Sequence, residues 1–157
     1  MVFTPNHLRF EMQLDKIGWD ILETLQQDAR LSFAEIGRRV GLSAPAVAER
    51  VQKMEDEGLI LGYRAVVDTA KLGRSVQAIM HLQVDRANFQ RSMAQIQEFP
   101  EVLVCYRTTG SSCLIMQVAV ASMEQLQALI DRLMPFGEPV TQMILSTVLP
   151  RRPIGAL

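Results

Sequence analysis

The stretch "LSAPAVAERVQKMEDEGLI", residues 42–60, predicts a helix with one buried and one exposed face. Ser43 is a favourable N-cap, and Pro45 fits only near a helix start, where its missing N–H costs nothing. Gly58 follows "EDE" and predicts a left-handed C-cap. Three apolar residues recur at helical spacing and predict the buried face: Val47, Val51 and Met54. The other face begins with small side chains, which suit close approach to a partner.

Two shorter helical patterns precede this helix. The first has an apolar stripe made of Leu14, Ile17, Ile21, Leu22 and Leu25. In the second, "SFAE" is a capping box with Ser32 as the cap and Glu35 reaching back, and the helix closes at Gly41. Helices separated only by Gly41 and Leu42 must cross steeply, which predicts a helix-turn-helix whose last helix enters the DNA major groove. The segment "LILGYRAVVD", 59–68, predicts a short winged hairpin or a strand leading out of the motif.

Charge is distributed unevenly around this motif. The formal net charge of −1 argues against indiscriminate binding to nucleic acid. Five basic residues lie within 30–53, against Glu35 and Glu49, and acidic residues flank the segment on both sides. The five are Arg30, Arg38, Arg39, Arg50 and Lys53. A compact basic patch flanked by acid is typical of a specific DNA-binding protein, although an ordinary solvated helix face would have the same composition.

Length and composition exclude several classes. A chain of 157 residues holds one domain or two small ones, and small halves favour oligomerisation. No apolar run is long enough to span a bilayer and the N-terminus lacks a signal-peptide core, so we expect a cytoplasmic protein without a membrane segment. Two cysteines and two isolated histidines predict no metal site. Without a nucleophile–base pair or a phosphate loop, the sequence predicts no catalytic residue and no cofactor.

The second half of the chain changes to a mixed strand and helix pattern. Strands are predicted at 76–85, 102–110, 113–120 and 140–149, and helices at 88–99 and 122–134. The order β-α-β-β-α-β is that of a ferredoxin-like split unit, so the whole chain is predicted as α+β. The predicted divisions are an N-terminal extension 1–13, a DNA-binding domain 14–67, a linker 68–75 and an oligomerisation domain 76–157. Because several strands carry apolar residues on both faces and two helices cover only one, we expect a homodimer through this domain.

At this point the sequence resembles the Lrp/AsnC family of transcription regulators, also called feast/famine regulators. The resemblance rests on "LDKIGWDIL" at 14–22, on the whole of 29–68, on "KLG" at 71–73 and on "TGSSCLIMQV" at 109–118. It implies an N-terminal winged helix-turn-helix and a C-terminal ligand-sensing (RAM-type) domain. It also implies dimers that often assemble into octamers, double-stranded DNA as partner, and control of amino-acid metabolism in response to a small-molecule effector.

The resemblance places the DNA-contacting positions on the last helix of the motif, with one at the start of the helix before it. They are Ser32, Ser43, Ala44, Pro45, Ala46, Ala48, Glu49, Arg50 and Lys53. The two serines would hydrogen-bond phosphates and the two basic residues would neutralise them. Glu49 could accept from a cytosine amino group, while alanines only touch thymine methyls, which leaves part of the specificity to DNA bending. An intramolecular ion pair of Arg50 with an acid such as Glu55 is the alternative for that residue.

The resemblance also places an effector site in the loop between the second and third strands, where this sequence departs from the family. The family loop reads Gly-Asp-Tyr-Asp-Tyr or a close variant, and here it is Gly110, Ser111, Ser112, Cys113 and Leu114. The acid that could pair with an amino-acid ammonium is replaced by Cys113, so we expect a weak or absent response to common amino acids. A plain hairpin without a ligand is the alternative. Met143 stands where a Thr is common, and Gly18 where Asp is usual. A redox disulfide between Cys105 and Cys113 is conceivable if they lie opposite each other.

Two other functions compete with the regulator. A siroheme-decarboxylase-like enzyme shares this two-domain architecture. Such an enzyme requires histidines and arginines around a porphyrin, but only His81 and Arg107 lie on predicted strands. An assembly or chaperone module without a DNA role would not need the basic 30–53 segment. The operator, the effector and the sign of regulation do not follow from the sequence.

Overall fold

The structure, a computed structural model, describes residues 13–85, 87–110 and 113–156, and it separates into two compact units. The first unit joins the chain up to Ala65 with the segment from Pro150 onward, and the second is Val66–Leu149. The predicted extension 1–13 lies outside the described residues except for Gln13, and the predicted divisions stay predictions. No helix within the described ranges is long and apolar enough to cross a membrane.

The first unit is a three-helix bundle, as predicted. Its helices are α1 (Lys16–Gln27), α2 (Phe33–Val40) and α3 (Ala44–Asp56). Asp15 caps α1 by accepting from the Gly18 N–H at 2.7 Å, and the predicted caps Ser32 and Ser43 begin α2 and α3. The core consists of Ile21, Leu25, Ile36, Val47 and Val51. The helix-turn-helix is therefore confirmed, with each helix starting where a polar side chain satisfies its first N–H groups.

Glycines set the turn between α2 and α3. Gly41 has a φ of 74° and closes α2 in the left-handed conformation. The Leu42 N–H donates to the Gly37 carbonyl at 2.9 Å, and a Cβ on Gly37 would lie 2.3 Å from the Leu42 carbonyl oxygen. Only glycine therefore allows α2 and the turn to approach this closely. Gly58, with a φ of 72°, ends α3 as predicted.

The wing of the motif is not formed. The sequence predicts a hairpin or strand over 59–68, but residues 61–68 have no regular secondary structure. A strand needs a hydrogen-bonded neighbour, and this segment finds none among the described residues. The alternating pattern of "LGYRAVV" instead leaves Leu61, Val66 and Val67 exposed.

The second unit is a four-stranded antiparallel sheet with two helices, in the predicted β-α-β-β-α-β order. Its strands are β1 (Val76–Val84), β2 (Val102–Arg107), β3 (Leu114–Val120) and β4 (Gly137–Met143), and its helices are α4 (Phe89–Gln97) and α5 (Met123–Leu133). The strand order is β2-β3-β1-β4. A 3₁₀ turn, Met134–Phe136, joins α5 to β4.

The last strand was predicted in the wrong place. We expected 140–149, but β4 runs from Gly137 to Met143 because its partner β1 fixes both ends. Gly137 pairs with Val84 at one end of β1, and a Cβ there would lie 1.9 Å from the Gln83 carbonyl oxygen. At the other end Ile144 donates to the Gln77 carbonyl at 3.0 Å, after which the chain leaves the sheet and Leu145 is 95% exposed.

One face of this sheet is covered and the other is not. On the covered face Met80, Leu82, Leu114 and Met116 are fully buried against residues of α4 and α5. On the opposite face the register aligns a row across all four strands: Tyr106, Ile115, His81 and Val140. At the two ends of this row Tyr106 is 59% exposed and Val140 52% exposed.

Candidate DNA-binding surface and effector loop

The N-terminal half of α3 is an exposed, small-residue surface on a firmly packed helix. Val47, Val51 and Met54 are at most 1% exposed, so the helix cannot rotate without breaking the core. Pro45 and Glu49 are exposed on the other side. The structure brings eight of the nine predicted DNA-contacting residues together on α3 and its cap, and it places Ser32 at the start of α2. Contact of these residues with DNA stays a prediction.

The two cap serines already have intramolecular partners. The Ser43 Oγ accepts from the Ala46 N–H at 3.4 Å. At α2 the Ser32 Oγ accepts from the Glu35 N–H at 3.3 Å, while the Ser32 N–H donates to Glu35 Oε2 at 2.8 Å. The hydrogen bond from the Ser32 side chain lowers the pKa of Glu35. A phosphate at either helix start would therefore find an ordered cap and a helix dipole pointing outward.

Arg50 is held by an ion pair inside the unit. Its Nη1 donates to Asp15 Oδ1 at 2.9 Å, and this bond is the main reason that the pKa of Asp15 lies below its ordinary value. An intramolecular pair was the alternative for Arg50, but the partner is Asp15, 35 residues away along the chain, and not Glu55. Both side chains remain partly exposed, at 39% for Arg50 and 54% for Asp15. The guanidinium is thus oriented without being removed from solvent.

The C-terminal part of α3 contacts Tyr63, in the segment that follows the helix. Glu55 accepts from the Tyr63 hydroxyl at 2.8 Å, and burial followed by this hydrogen bond raises the pKa of Tyr63 to about 12. Lys53 lies 3.8 Å from Glu57 and is largely exposed, as a phosphate contact would require. At this end of the helix Glu55 therefore anchors Tyr63, while Lys53 keeps most of its side chain in solvent.

The predicted effector loop is only partly described. Gly110 has a φ of 102°, a conformation that favours glycine, and Ser111 and Ser112 lie outside the described residues. Leu114 is fully buried on the helix-covered face, so its side chain is part of the core and not of a loop surface. The Cys113 Sγ accepts from the Val84 N–H at 3.2 Å and lies 3.6 Å from the Leu82 and Val84 carbonyl oxygens. The thiol that replaces the family's acid is therefore turned towards the end of β1.

A disulfide between Cys105 and Cys113 does not fit the sheet register. Cys105 pairs with Met116, three residues beyond Cys113 on β3, which corresponds to about 10 Å along a strand. A disulfide needs Cα atoms within about 7 Å. Both thiols are free, and burial raises the pKa of Cys105. The condition for a redox disulfide is not met, because Cys105 and Cys113 are not opposite each other.

The chain was compared with known families and proteins. The model of the AsnC-type helix-turn-helix domain matches residues 14–55, and that of the Lrp/AsnC ligand binding domain matches residues 77–154. The HTH-type transcriptional regulator LrpC of Bacillus subtilis is 37% identical over 87% of this chain and 95% of its own length. The chain belongs to the Lrp/AsnC family. It is a transcriptional regulator of that type, as the resemblance predicted.

Two solved structures show the same fold. The structure of B. subtilis LrpC superposes with a TM-score of 0.85 at 36% identity, covering 89% of this chain and 100% of that one. The transcriptional regulator NMB0573 of Neisseria meningitidis, solved as a complex with L-Met, superposes with a TM-score of 0.85 at 22% identity over 90% of this chain and 96% of that one. The latter similarity shows the Lrp/AsnC fold alone.

Three features of this Lrp/AsnC chain were not found from its sequence. Asp15 was not linked to Arg50 and Gly37 was not linked to the turn, although a cap aspartate and a glycine within a predicted helix were both visible. Gln26 binds the backbone of Ile154, which the sequence placed in the other domain.

Within the described ranges there is no group of three His, Cys, Asp or Glu side chains that could hold a metal ion.

Proposed function

We propose that this regulator binds double-stranded DNA with the start of α3 in the major groove. The observation that carries the proposal is the contrast between the two faces of α3: one is locked into the core and the other presents Pro45, Glu49 and small alanines. A fixed helix with a shallow outer face can approach base edges closely. Arg50 and Lys53 flank that face as phosphate contacts, and Ser32 places the start of α2 at a second backbone position.

Glu49 is an exposed residue of this surface that can read a base directly, because a carboxylate accepts from the cytosine amino group. Genomic fragments bound by the protein are selected, and the selection is repeated with Glu49→Ala. We expect the variant to lose discrimination at one C·G pair by about 1–3 kcal/mol, or roughly five- to 150-fold.

The matched control is Glu138→Ala, which removes an exposed acid from β4 of the second unit. It should select the same sequences as the wild-type protein. Identical preferences for wild-type and Glu49→Ala protein would remove Glu49 from base recognition, and absence of any selected sequence would contradict the DNA-binding proposal itself.

We propose further that the ligand-binding domain takes a small molecule whose affinity does not depend on an ammonium–carboxylate pair. The neisserial protein of the same fold was solved with L-Met, so we infer that this fold can hold a molecule of that size. In this chain the position of the family's acid is occupied by Cys113, whose thiol faces the β1 backbone. An amino-acid ammonium therefore lacks a charge-assisted partner there.

Calorimetric titration with the twenty common amino acids tests this second part. Wild-type protein should bind them weakly or not at all, because a charge-assisted hydrogen bond is worth about 1.5–3 kcal/mol, or roughly ten- to a hundredfold in affinity. Cys113→Asp should gain affinity by such a factor, and the isosteric Cys113→Ser should not. Micromolar binding of any of the twenty to the wild-type protein would show that the acid is dispensable.

We also propose that the chain works as a homodimer, with a higher assembly such as an octamer built from it. The support is the uncovered sheet face, where the row from Tyr106 to Val140 is apolar or aromatic except for His81. An exposed apolar patch on a small domain is typical of an interface, and a second copy of the same face is self-complementary.

A further inference from the structure

The segment after the second unit belongs to the DNA-binding unit. From Pro150 onward the chain groups with the three helices, and residues 150–156 are all exposed. We call residues 150–156 the C-terminal segment. Its sequence, "RRPIGA" after Pro150, includes two adjacent arginines, Arg151 and Arg152.

One side chain of α1 fixes the register of this segment. The Gln26 Nε2 donates to the Ile154 carbonyl oxygen at 2.9 Å, and the Ile154 N–H donates to the Gln26 Oε1 at 2.8 Å. The amide thereby satisfies both backbone groups of one residue, as a neighbouring strand would. The Ile154 side chain is exposed, so the attachment depends on these two hydrogen bonds and not on burial of that side chain.

The attachment point is close along the chain to a predicted phosphate contact. Gln26 is in the last turn of α1, and the chain reaches Ser32, the cap of α2, six residues later. Arg152 is two residues from Ile154, so its Cα lies within about 7 Å of the attached residue. The flexible arginine side chains extend that reach further. The two arginines are therefore tethered at the end of α1 that leads directly into α2.

The formal charge of the first unit shows what these two arginines add to it. Residues 13–65 carry nine acidic and seven basic side chains, and Arg151 and Arg152 bring this unit to formal neutrality. Without the segment, a net negative domain would approach a polyanion. Since guanidinium groups bind phosphate oxygens well, the added pair fits the DNA backbone chemically.

We propose that Arg151 and Arg152 form an additional contact to the DNA phosphate backbone, and that Gln26 is the positioning residue that holds them in place. The inference rests on the proposed DNA binding, and it adds a contact that lies outside the helix-turn-helix sequence. Backbone contacts carry no sequence information, so the segment raises affinity for all DNA equally.

The test measures the salt dependence of binding by fluorescence anisotropy, on a selected fragment and on unrelated DNA. For the double variant Arg151→Gln/Arg152→Gln, the slope of log affinity against log salt should fall by about 0.9 for each phosphate that is no longer neutralised. Affinity should fall by the same factor on both DNAs, leaving the specificity ratio unchanged. Gln26→Ala, which changes no charge, should also lower the affinity for both DNAs, by a smaller factor than the double arginine variant.

The matched control is Lys71→Gln/Arg91→Gln, which removes the same charge from two exposed positions of the second unit and should leave the slope at the wild-type value. If wild-type protein binds DNA but Arg151→Gln/Arg152→Gln keeps its slope and affinity, the inference is overturned and DNA binding by α3 still stands. If the control lowers the slope as much as the arginine double variant, the effect is one of net charge and the proposed contact is equally overturned. If the wild-type protein binds no DNA, the proposed function itself is contradicted.

Discussion

Arg50 lies between two anions in the proposed complex: the Asp15 carboxylate within the unit and a phosphate of the DNA. The ion pair orients the guanidinium, but both groups are partly exposed and such pairs contribute little to stability. A phosphate contact also releases counterions from the DNA. We therefore expect the phosphate to compete successfully for Arg50, with Asp15 opposing the approach of DNA rather than assisting it.

Asp15→Asn separates these roles, because asparagine caps a helix as well as aspartate but carries no charge. We expect the variant to bind DNA several-fold more tightly at low salt, on specific and unrelated sequences alike, since a negative charge beside the backbone contact is gone. Arg50→Gln should weaken binding. Anisotropy titrations over a range of salt concentrations measure both, and helicity by circular dichroism controls for folding.

A decrease in affinity for Asp15→Asn comparable to that of Arg50→Gln would mean the reverse, namely that the carboxylate is needed to position the guanidinium. Either result assigns Asp15 a role that its place in the sequence does not reveal. The caps at Ser32 and Ser43 follow from short motifs. The partner of Arg50 does not, because it depends on how α1 and α3 pack.

At the scale of elements, the turn between α2 and α3 depends on Gly37, which lies inside α2 and is not one of its capping residues. A Cβ on Gly37 would lie 2.3 Å from the Leu42 carbonyl oxygen, which is backbone and cannot swing aside. Helix propensity alone predicts that alanine should stabilise α2. The steric clash outweighs this gain, because relief requires α2 and the turn to move apart.

We expect Gly37→Ala to lower the free energy of unfolding by about 1–3 kcal/mol, the usual cost of forcing an extra methyl into a packed site. Urea denaturation followed by circular dichroism measures it. Gly155→Ala is the control: no described atom lies within 4 Å of a Cβ at that position, so its effect should stay within about 0.5 kcal/mol. Equal stability of Gly37→Ala and wild-type protein would show that the turn adjusts at no cost.

The ends of an element were predictable where capping residues in the sequence mark them. They were not predictable where a neighbouring strand determines them. The helices α2 and α3 begin at the predicted caps Ser32 and Ser43 and end at Gly41 and Gly58, so their bounds follow from short motifs. The strand β4 starts opposite the end of β1, so it begins three residues earlier and ends six residues earlier than predicted. The pattern at 59–68 gave no strand because no described residue pairs with it. The position of Cys113 in the sequence predicted a loop residue, but its thiol contacts the backbone of β1 at Val84.

At the scale of the whole molecule, the change from helical periodicity to alternating strands predicted two units with different architectures. The order of strands and helices then predicted the sheet, since the split β-α-β-β-α-β arrangement has its helices on one face. What the sequence could not locate is the C-terminal segment, which is attached by two hydrogen bonds to an α1 side chain 128 residues away along the chain. Such long-range polar contacts have no periodic signal.

The uncovered face of the sheet is where assembly can be tested in the full-length protein. Val140 lies at the β4 end of the cross-strand row and is 52% exposed, and a lysine there would place a charge in the proposed interface at a cost of about 3–5 kcal/mol if it is buried without a partner. We expect Val140→Lys to shift light-scattering masses from the dimer or its multiples towards the monomer. Met123→Lys, on the exposed start of α5, adds the same charge at similar exposure outside this face and should keep the wild-type mass. If both variants keep the wild-type mass, the sheet face is not the interface, and the exposed apolar residues of 61–68 become the next surface to substitute.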